Sequence, residues 1–410
     1  MTKLRLAAAL ALLLAASLHA VGADWPQLLG PQRDGHQPVP TAGRVIEPRF
    51  LWEANVGEGF SGPIAASGMV ILPHREGDEM RVTAFNETTG AVVWTASRPT
   101  DYVDGQGFNG GPRAVPAVAD GRVFIHGADG VLDALELASG NLLWRVDTRE
   151  KFQSGPGFFG RACSPLVLDD RVIITPGGRL DGKPAGVVAL AADSGDLIWH
   201  AADDEAGYSS PALTGVGDLL CWMRNHLWVL DPASGAVRAK RHLRSRMDAS
   251  VTTAQPLDLG DGTLLLTAEY GVGLHQLALP DLKQVWTAQR LLDCQYSTPL
   301  RRNRLLFGFH GMQGARQTLR CVDLDKRESL WLSPAVPGGH VVRTDDHLIA
   351  VTEQGEVWVQ PLAAQAFDPE QQAQIMRAGH RSPPALSGGV LFARDADQLL
   401  AWRLFKMEGG

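Results

Sequence analysis

Short apolar runs recur along most of the chain, separated by clusters of turn-forming residues. Arg122 to Ile125, Arg171 to Ile174, Leu264 to Leu266 and Arg304 to Phe307 are examples. Runs this short, bounded by Gly, Asp and Asn, have the length of buried strands rather than of helices. The pattern also repeats. Ala84 to Trp94, Ala134 to Trp144 and Ala189 to Trp199 share an Ala at the start, a Ser or Thr followed by Gly (Gly90, Gly140, Gly195), and a Trp four residues after that Gly. Looser copies follow. Leu230 to Gly235 keeps the Gly but has Ala239 where Trp is expected, while Leu277 to Trp286 and Val322 to Trp331 keep the Trp and lose the Gly. Trp52, in Arg49 to Trp52, supplies a copy near the start.

A second signature precedes each Gly–Trp element by roughly 30 residues, a spacing typical of a repeat built from one supersecondary unit. Prolines 63, 116, 165, 211, 256, 299 and 383 each stand just ahead of an apolar run. Proline is tolerated at the first residue of a strand because its missing N–H need not join the ladder there. Gly after Ser or Thr supplies the positive φ of a tight hairpin. Each unit therefore reads as four strands, the last ending in Trp.

Seven Pro-opened units and a degenerate one around Val341 to Leu362 make eight, about 48 residues each, which predicts an all-β, eight-bladed β-propeller of four-stranded antiparallel blades. The last unit, from Pro383 to Leu404, has only three strands. The strand around Phe50 to Ala54 is expected to supply the fourth and close the ring, removing its open edges. Trp52, Trp94, Trp144, Trp199, Trp286 and Trp331 are expected between neighbouring blades. Asp368, Pro369 and Gly379 read as N-cap, first-turn Pro and C-terminal Gly of one short helix ending at Ala378.

Composition fits this reading. Among 410 residues there are 45 Gly, 25 Pro and 11 Trp, with 45 % hydrophobic and 20 % charged residues. That is ample material for a core and too little charge for a disordered chain. Lys3 and Arg5 precede an apolar run from Leu6 to Leu18, and Val21, Gly22 and Ala23 precede Asp24. This is the form of a signal peptide cleaved near Ala23, too short to span a bilayer. Residues 24–410 are then one exported propeller domain, periplasmic or secreted, with no transmembrane segment and expected to be a monomer. The net charge of −7 becomes about −9 without Lys3 and Arg5, which argues against nucleic acid as a partner. Of the four cysteines, Cys294 and Cys321 fall within one unit and are the favoured disulfide; four unpaired buried thiols are the alternative.

Catalytic motifs are weak. Gly177 to Pro184 approximates a phosphate-binding loop, but Pro184 stands where Ser or Thr is required and no helix follows, so a hairpin tip is expected. Asp323 with Asp325, and Asp258 with Asp261, lack the spacing of a calcium loop. There is no His-Glu-x-x-His and no Gly-x-Ser-x-Gly. No catalytic residue and no metal ligand is assigned. Position in the repeat is more informative. Residues just before each opening Pro should gather at one mouth of the central channel: Phe60, Arg113, Arg161, Tyr208, Gln295, Tyr296, His380 and Arg381. They predict a basic, ring-lined funnel for a small anionic planar ligand or a carboxylate-bearing peptide. The alternative is that these arginines cap blade carbonyls or pair with nearby Asp. On the funnel reading, replacing Arg113 and Arg161 by Ala abolishes binding and leaves stability nearly unchanged.

The Ala-to-Trp repeat resembles the tryptophan-docking motif of PQQ-like propellers, shared by quinoprotein alcohol dehydrogenases and BamB-like outer-membrane assembly factors. The stretch from Trp25 to Gly35 resembles the opening motif of exported bacterial members of that group. For the catalytic members the resemblance implies pyrroloquinoline quinone with calcium, an adjacent Cys–Cys disulfide and a Glu/Asn/Asp calcium set, none of which aligns residue by residue here. The BamB-like members match better in size, although they are usually lipid-anchored through a cysteine that this chain lacks. The expected function is thus a non-catalytic scaffold of the cell envelope, without cofactor, binding an envelope protein or ligand. The alternative is a small PQQ-dependent oxidoreductase with its cofactor in the funnel. Carbohydrate binding through Trp222 and Trp228 is a third reading, although Trp at such positions is more often blade core.

Overall fold

In the computed structural model the described residues are 24–44, 46–245, 247, 253–312, 314 and 316–406. The expected leader lies outside them. Eight four-stranded antiparallel sheets form a ring, with one further two-stranded hairpin. Blades one to seven run consecutively, from the innermost strand of blade one, Ile64–Ala66, to the outermost of blade seven, Gln371–Gln374. Blade eight takes Ala385–Ser387, Val390–Arg394 and Gln398–Phe405 from the C-terminal end and Ile46–Asn55 as its outer strand. Trp52 pairs with Ala401 across that closing seam, as the missing fourth strand required.

The blades are held face to face by seven apolar clusters that each bridge neighbouring sheets, such as Val82 and Trp94 of blade one with Val123 and Leu135 of blade two. At the seams the indole N–H of Trp94 donates to Leu137 O at 2.9 Å, that of Trp144 to Ala192 O at 3.0 Å, and that of Trp199 to Pro232 O at 3.0 Å. Trp52 donates likewise to Glu87 O, and Trp331 to Ala364 O. The indoles of Trp52, Trp94, Trp144 and Trp199 lie over the hairpin Gly of the next blade, Gly90, Gly140, Gly195 and Gly235, whereas the turn that meets Trp331 has no Gly. At Gly140, φ is +73° and a Cβ would stand 2.5 Å from the Trp94 ring, so only glycine satisfies both the turn and the close approach.

The degenerate repeats are compensated at the same seams. Where Ala239 replaces Trp, the next blade carries Leu282 at the turn, with φ +57°; its side chain is buried in the cluster against which Ala239 packs. Where Trp286 faces a turn without Gly, Arg327 takes the left-handed position, φ +58°, and its guanidinium lies over the indole at 5.3 Å.

Two expectations are corrected. Residues 368–378 form no helix: Gln371–Gln374 is the outer strand of blade seven, paired in register from Glu356–Gln374 to Val359–Gln371. An unpaired third strand outweighs local capping signals, which are a weak prior. Among the described residues the α-helix that does form is Thr148–Phe152, N-capped by the Asp147 carboxylate. All four cysteines are free and buried. Cys294 packs in the cluster with Trp286, and Cys321 in the next one with Trp331, so the two thiols occupy different blade seams. Trp222 and Trp228 are 1 % and 4 % exposed and belong to the blade core, as the structural reading of these residues expects, which leaves no sugar platform there. Gly177 to Pro184 is a hairpin tip, with Arg179–Leu180 paired to Lys183–Pro184.

Candidate functional site

The innermost strands surround a central channel, and residues 25–36 run into it as a plug. Trp25 pairs with Ala65, Pro26 O accepts from Val118 N, and His36 bridges to Arg343. The Trp25 ring is buried against Gly30, whose φ of +78° turns the segment back. The stretch that resembles an opening motif is thus the segment that divides the channel in two.

Above the plug lies a cavity of about 250 Å³, with Leu28 and Leu29 of the plug among its lining residues. Its wall comes from the connections between blades, as position in the repeat predicts. Phe60, Arg113, Tyr208, Gln295, Tyr296 and Arg381 all line it. Arg161 and His380 do not. Arg161 turns inward, donating to Ser154 O at 2.6 Å and Asp129 O at 3.3 Å; His380 is buried, 2.7 Å from Ser382 Oγ and stacked on Phe60. Sequence reasoning missed Phe108, Phe159, Tyr270 and His340, which also line the cavity. Phe108 and Phe159 sit on long inter-blade connections rich in aromatic residues, a signal that the proline-based register overlooked.

The electrostatics differ from the expected basic funnel. Arg113 donates to the Asp104 carboxylate at 2.7 Å and to Asn109 O at 2.9 Å, and both side chains of this ion pair are buried. Its guanidinium also lies over the rings of Phe60 and Tyr102. Arg381 Nε donates to Glu353 at 3.0 Å, and the Tyr296 hydroxyl donates to the same carboxylate oxygen. Both arginines therefore face the cavity already neutralised. Replacing Arg113 would strand a buried carboxylate, and replacing Arg161 would strip bonds from Ser154 and Asp129, so these arginines are structural and their loss is not neutral for stability.

The remaining polar groups are held uncharged at neutral pH. Burial pushes the Tyr208 hydroxyl up to about 12. Tyr296 is raised well above the ordinary tyrosine value, by burial and then by the Glu353 charge. Burial lowers His340 to about 4, and its Nε2–H donates to Arg381 O at 2.8 Å. Around them Phe159 meets both Phe108 and Tyr208 edge to face, at 5.8 and 6.0 Å. The result is an aromatic bowl with hydroxyl and amide edges and no unpaired charge.

A family model described as outer membrane protein assembly factor BamB matches residues 49–175 and 78–333. The chain belongs to this family of PQQ-like β-propellers. Among its relatives, the BamB protein of Yersinia pestis is 30 % identical over 157 residues, 37 % of this chain and 36 % of that protein. The chain thus spans little more than a third of the length of this BamB relative. The solved BamB structure from Moraxella catarrhalis superposes with a TM-score of 0.63 at 15 % identity, covering 89 % of this chain and 99 % of that one. A quinohemoprotein alcohol dehydrogenase from Comamonas testosteroni gives a TM-score of 0.69 at 12 % identity, covering 93 % and 80 %. At such identities the BamB and dehydrogenase structures share the fold with this chain, and a fold hosts many functions.

Proposed function

We propose that this chain is an exported, non-catalytic scaffold of the cell envelope, whose upper cavity seats an apolar or aromatic segment of a partner protein. The observation that carries the reading is the internal pairing of Arg113 with Asp104 and of Arg381 with Glu353. With both charges engaged, ring faces and neutral hydroxyls remain for recognition, the chemistry that anchors protein interfaces. Membership of the BamB family supports an envelope partner, and the leader-like pattern of residues 3–23 in the sequence supports export. A small planar ligand is compatible with the same rings, but it would bind by stacking rather than by charge.

The alternative, a quinone-dependent oxidoreductase, draws on the fold shared with the dehydrogenase. The residues present do not fit a quinone–calcium pair. Asp104 and Glu353 are already engaged by arginines, and among the described residues no three His, Cys, Asp or Glu side chains are grouped to hold a metal ion.

A photoreactive amino acid in place of Phe108, which is 45 % exposed, tests the reading in intact cells. It is expected to crosslink one discrete envelope protein, while the same residue in place of Lys326 on an outer hairpin does not. A stoichiometric quinone chromophore with dye-coupled alcohol oxidation, obtained by adding quinone and calcium to the purified protein, would overturn the scaffold reading.

A further inference from the structure

Below the plug lies a second cavity, of about 690 Å³, with a different chemistry. Arg33 of the plug, Arg301 and Arg302 of blade six and Arg343 of blade seven line it, together with two carboxylates, Asp34 and Asp258. Blade six contributes its innermost strand, Leu300–Arg302, and blade seven contributes Gly339–Arg343. This mouth is therefore lined by ends of innermost strands, the turns that follow them and the plug, whereas connections between blades supply most of the upper wall.

The arginines here are poorly partnered. Arg33 donates only through Nη1, to Gln27 Oε1 at 3.1 Å and Pro165 O at 3.2 Å, while its Nε and Nη2 have no hydrogen-bond partner. Arg343 lies 3.5 Å from Asp34, and its Nε is likewise unpaired. Arg301 donates to one carbonyl, Asn303 O, at 3.2 Å. Arg302 makes no side-chain hydrogen bond or ion pair among the described residues. The Asp258 carboxylate is occupied by the N–H groups of Gly215 and Gly260, at 2.6 and 2.9 Å. Arg343 feels the attraction of Asp34 and Asp345 and, more weakly, the repulsion of Arg302 and Arg301. In a chain of net charge −7, four guanidiniums converging on one cavity form a local concentration of positive charge that an anion would relieve.

We propose that the lower mouth binds a phosphate-class oxyanion, free or as a phosphate ester, held by Arg301, Arg302 and Arg343. Guanidinium forks match phosphate oxygens two at a time. The lining has two more guanidiniums than carboxylates, which a dianion balances and a single carboxylate does not. The cavity is larger than a bare phosphate and leaves room for the esterified group. This site is independent of the scaffold reading, since none of its arginines lines the upper cavity.

Calorimetric titration of the purified full chain with inorganic phosphate, sn-glycerol 3-phosphate and acetate is the test. Phosphate is expected to bind with an affinity that falls as sodium chloride rises, and acetate at least tenfold more weakly. The Arg301→Ala/Arg302→Ala double variant should lose at least tenfold in phosphate affinity, and Arg179→Ala, on the exposed hairpin, should lose none. Asp34→Asn, which removes the competing carboxylate beside Arg343, should bind phosphate more tightly, and it provides a reading even if the double variant folds poorly. Tighter binding of glycerol phosphate than of phosphate marks a soluble ester as the source. Arg302-dependent sedimentation with phosphatidylglycerol vesicles marks a lipid headgroup. Undetectable phosphate binding, equal binding of acetate, or affinity unchanged in both the double variant and Asp34→Asn would overturn the proposal.

Discussion

Arginines line both mouths of the channel, but the two mouths treat them oppositely. At the upper mouth Arg113 and Arg381 are tied to Asp104 and Glu353, and the exposed chemistry is aromatic. At the lower mouth Arg301 and Arg302 have no carboxylate partner among the described residues, and Arg33 and Arg343 keep unpaired donors. The plug from Trp25 to His36 keeps the two chambers apart, so one channel presents two surfaces of different character. Counting arginines near a mouth therefore does not reveal its potential; what decides it is whether each guanidinium has a buried carboxylate within reach.

The contrast should break most visibly at Asp104. Its side chain is 1 % exposed and that of Arg113 is 8 % exposed, so Asp104→Asn leaves a buried cation without its counter-charge. Removing one partner of a buried pair costs about 3 kcal/mol or more, and a clear fall in Tm is expected. The same change should give the upper chamber the property of the lower one. Benzoate, a planar carboxylate, is expected to bind the variant and not the parent protein. An unchanged Tm together with no gain in benzoate binding would show that the ion pair does not set the character of this chamber.

Acid should act on the upper side first. His340 is held at about 4 and His380 at about 3, each chiefly by burial, against an unfolded value near 6.5. Below pH 6.5 the unfolded chain takes up protons that the folded chain refuses, so stability falls as pH drops toward 4. The slope is at most about 1.4 kcal/mol per pH unit for each group. His74, His126 and His310 are lowered in the same direction. Asp293, raised by burial to about 6, works against them between pH 4 and 6 because its protonated form favours the fold. Tm measured from pH 7 to 4.5 should decline, and His340→Gln should flatten part of that decline. A variant whose Tm follows the parent at every pH would exclude His340 as a contributor.

Much of this architecture was legible in the chain. The repeat of Gly and Trp, the opening prolines and the strand before Ala54 lead to eight blades and to their closure, because each blade is specified by local turn chemistry. Gln371–Gln374 was not legible, since its strand pairing comes from a neighbour and not from its own residues. The upper cavity was legible as a set of positions but not as a potential: Phe60, Tyr208 and Tyr296 fall where the register puts them, whereas the carboxylates that neutralise Arg113 and Arg381 come from an irregular connection and from a hairpin in another blade. The lower chamber was invisible for a related reason. Arg33 and Arg302 are far apart in sequence, and they converge only because the plug threads the ring.

The smallest expected effect is also the sharpest discriminator. Arg302 makes no side-chain hydrogen bond or ion pair among the described residues, and its charge both repels Arg343 and favours the Asp346 carboxylate, so Arg302→Ala strands no buried charge. Its effect on stability in phosphate-free buffer should stay within about 0.5 kcal/mol. Arg113→Ala, by contrast, exchanges the same residue types and should destabilise by several times that amount, because Asp104 is left buried and charged. Adding phosphate should then reverse the order of interest: the parent's Tm rises by ligand linkage, while the Tm of Arg302→Ala rises less. If the two alanine variants lose equal stability without phosphate, the lower arginines are as structural as the upper ones and the two mouths are chemically alike.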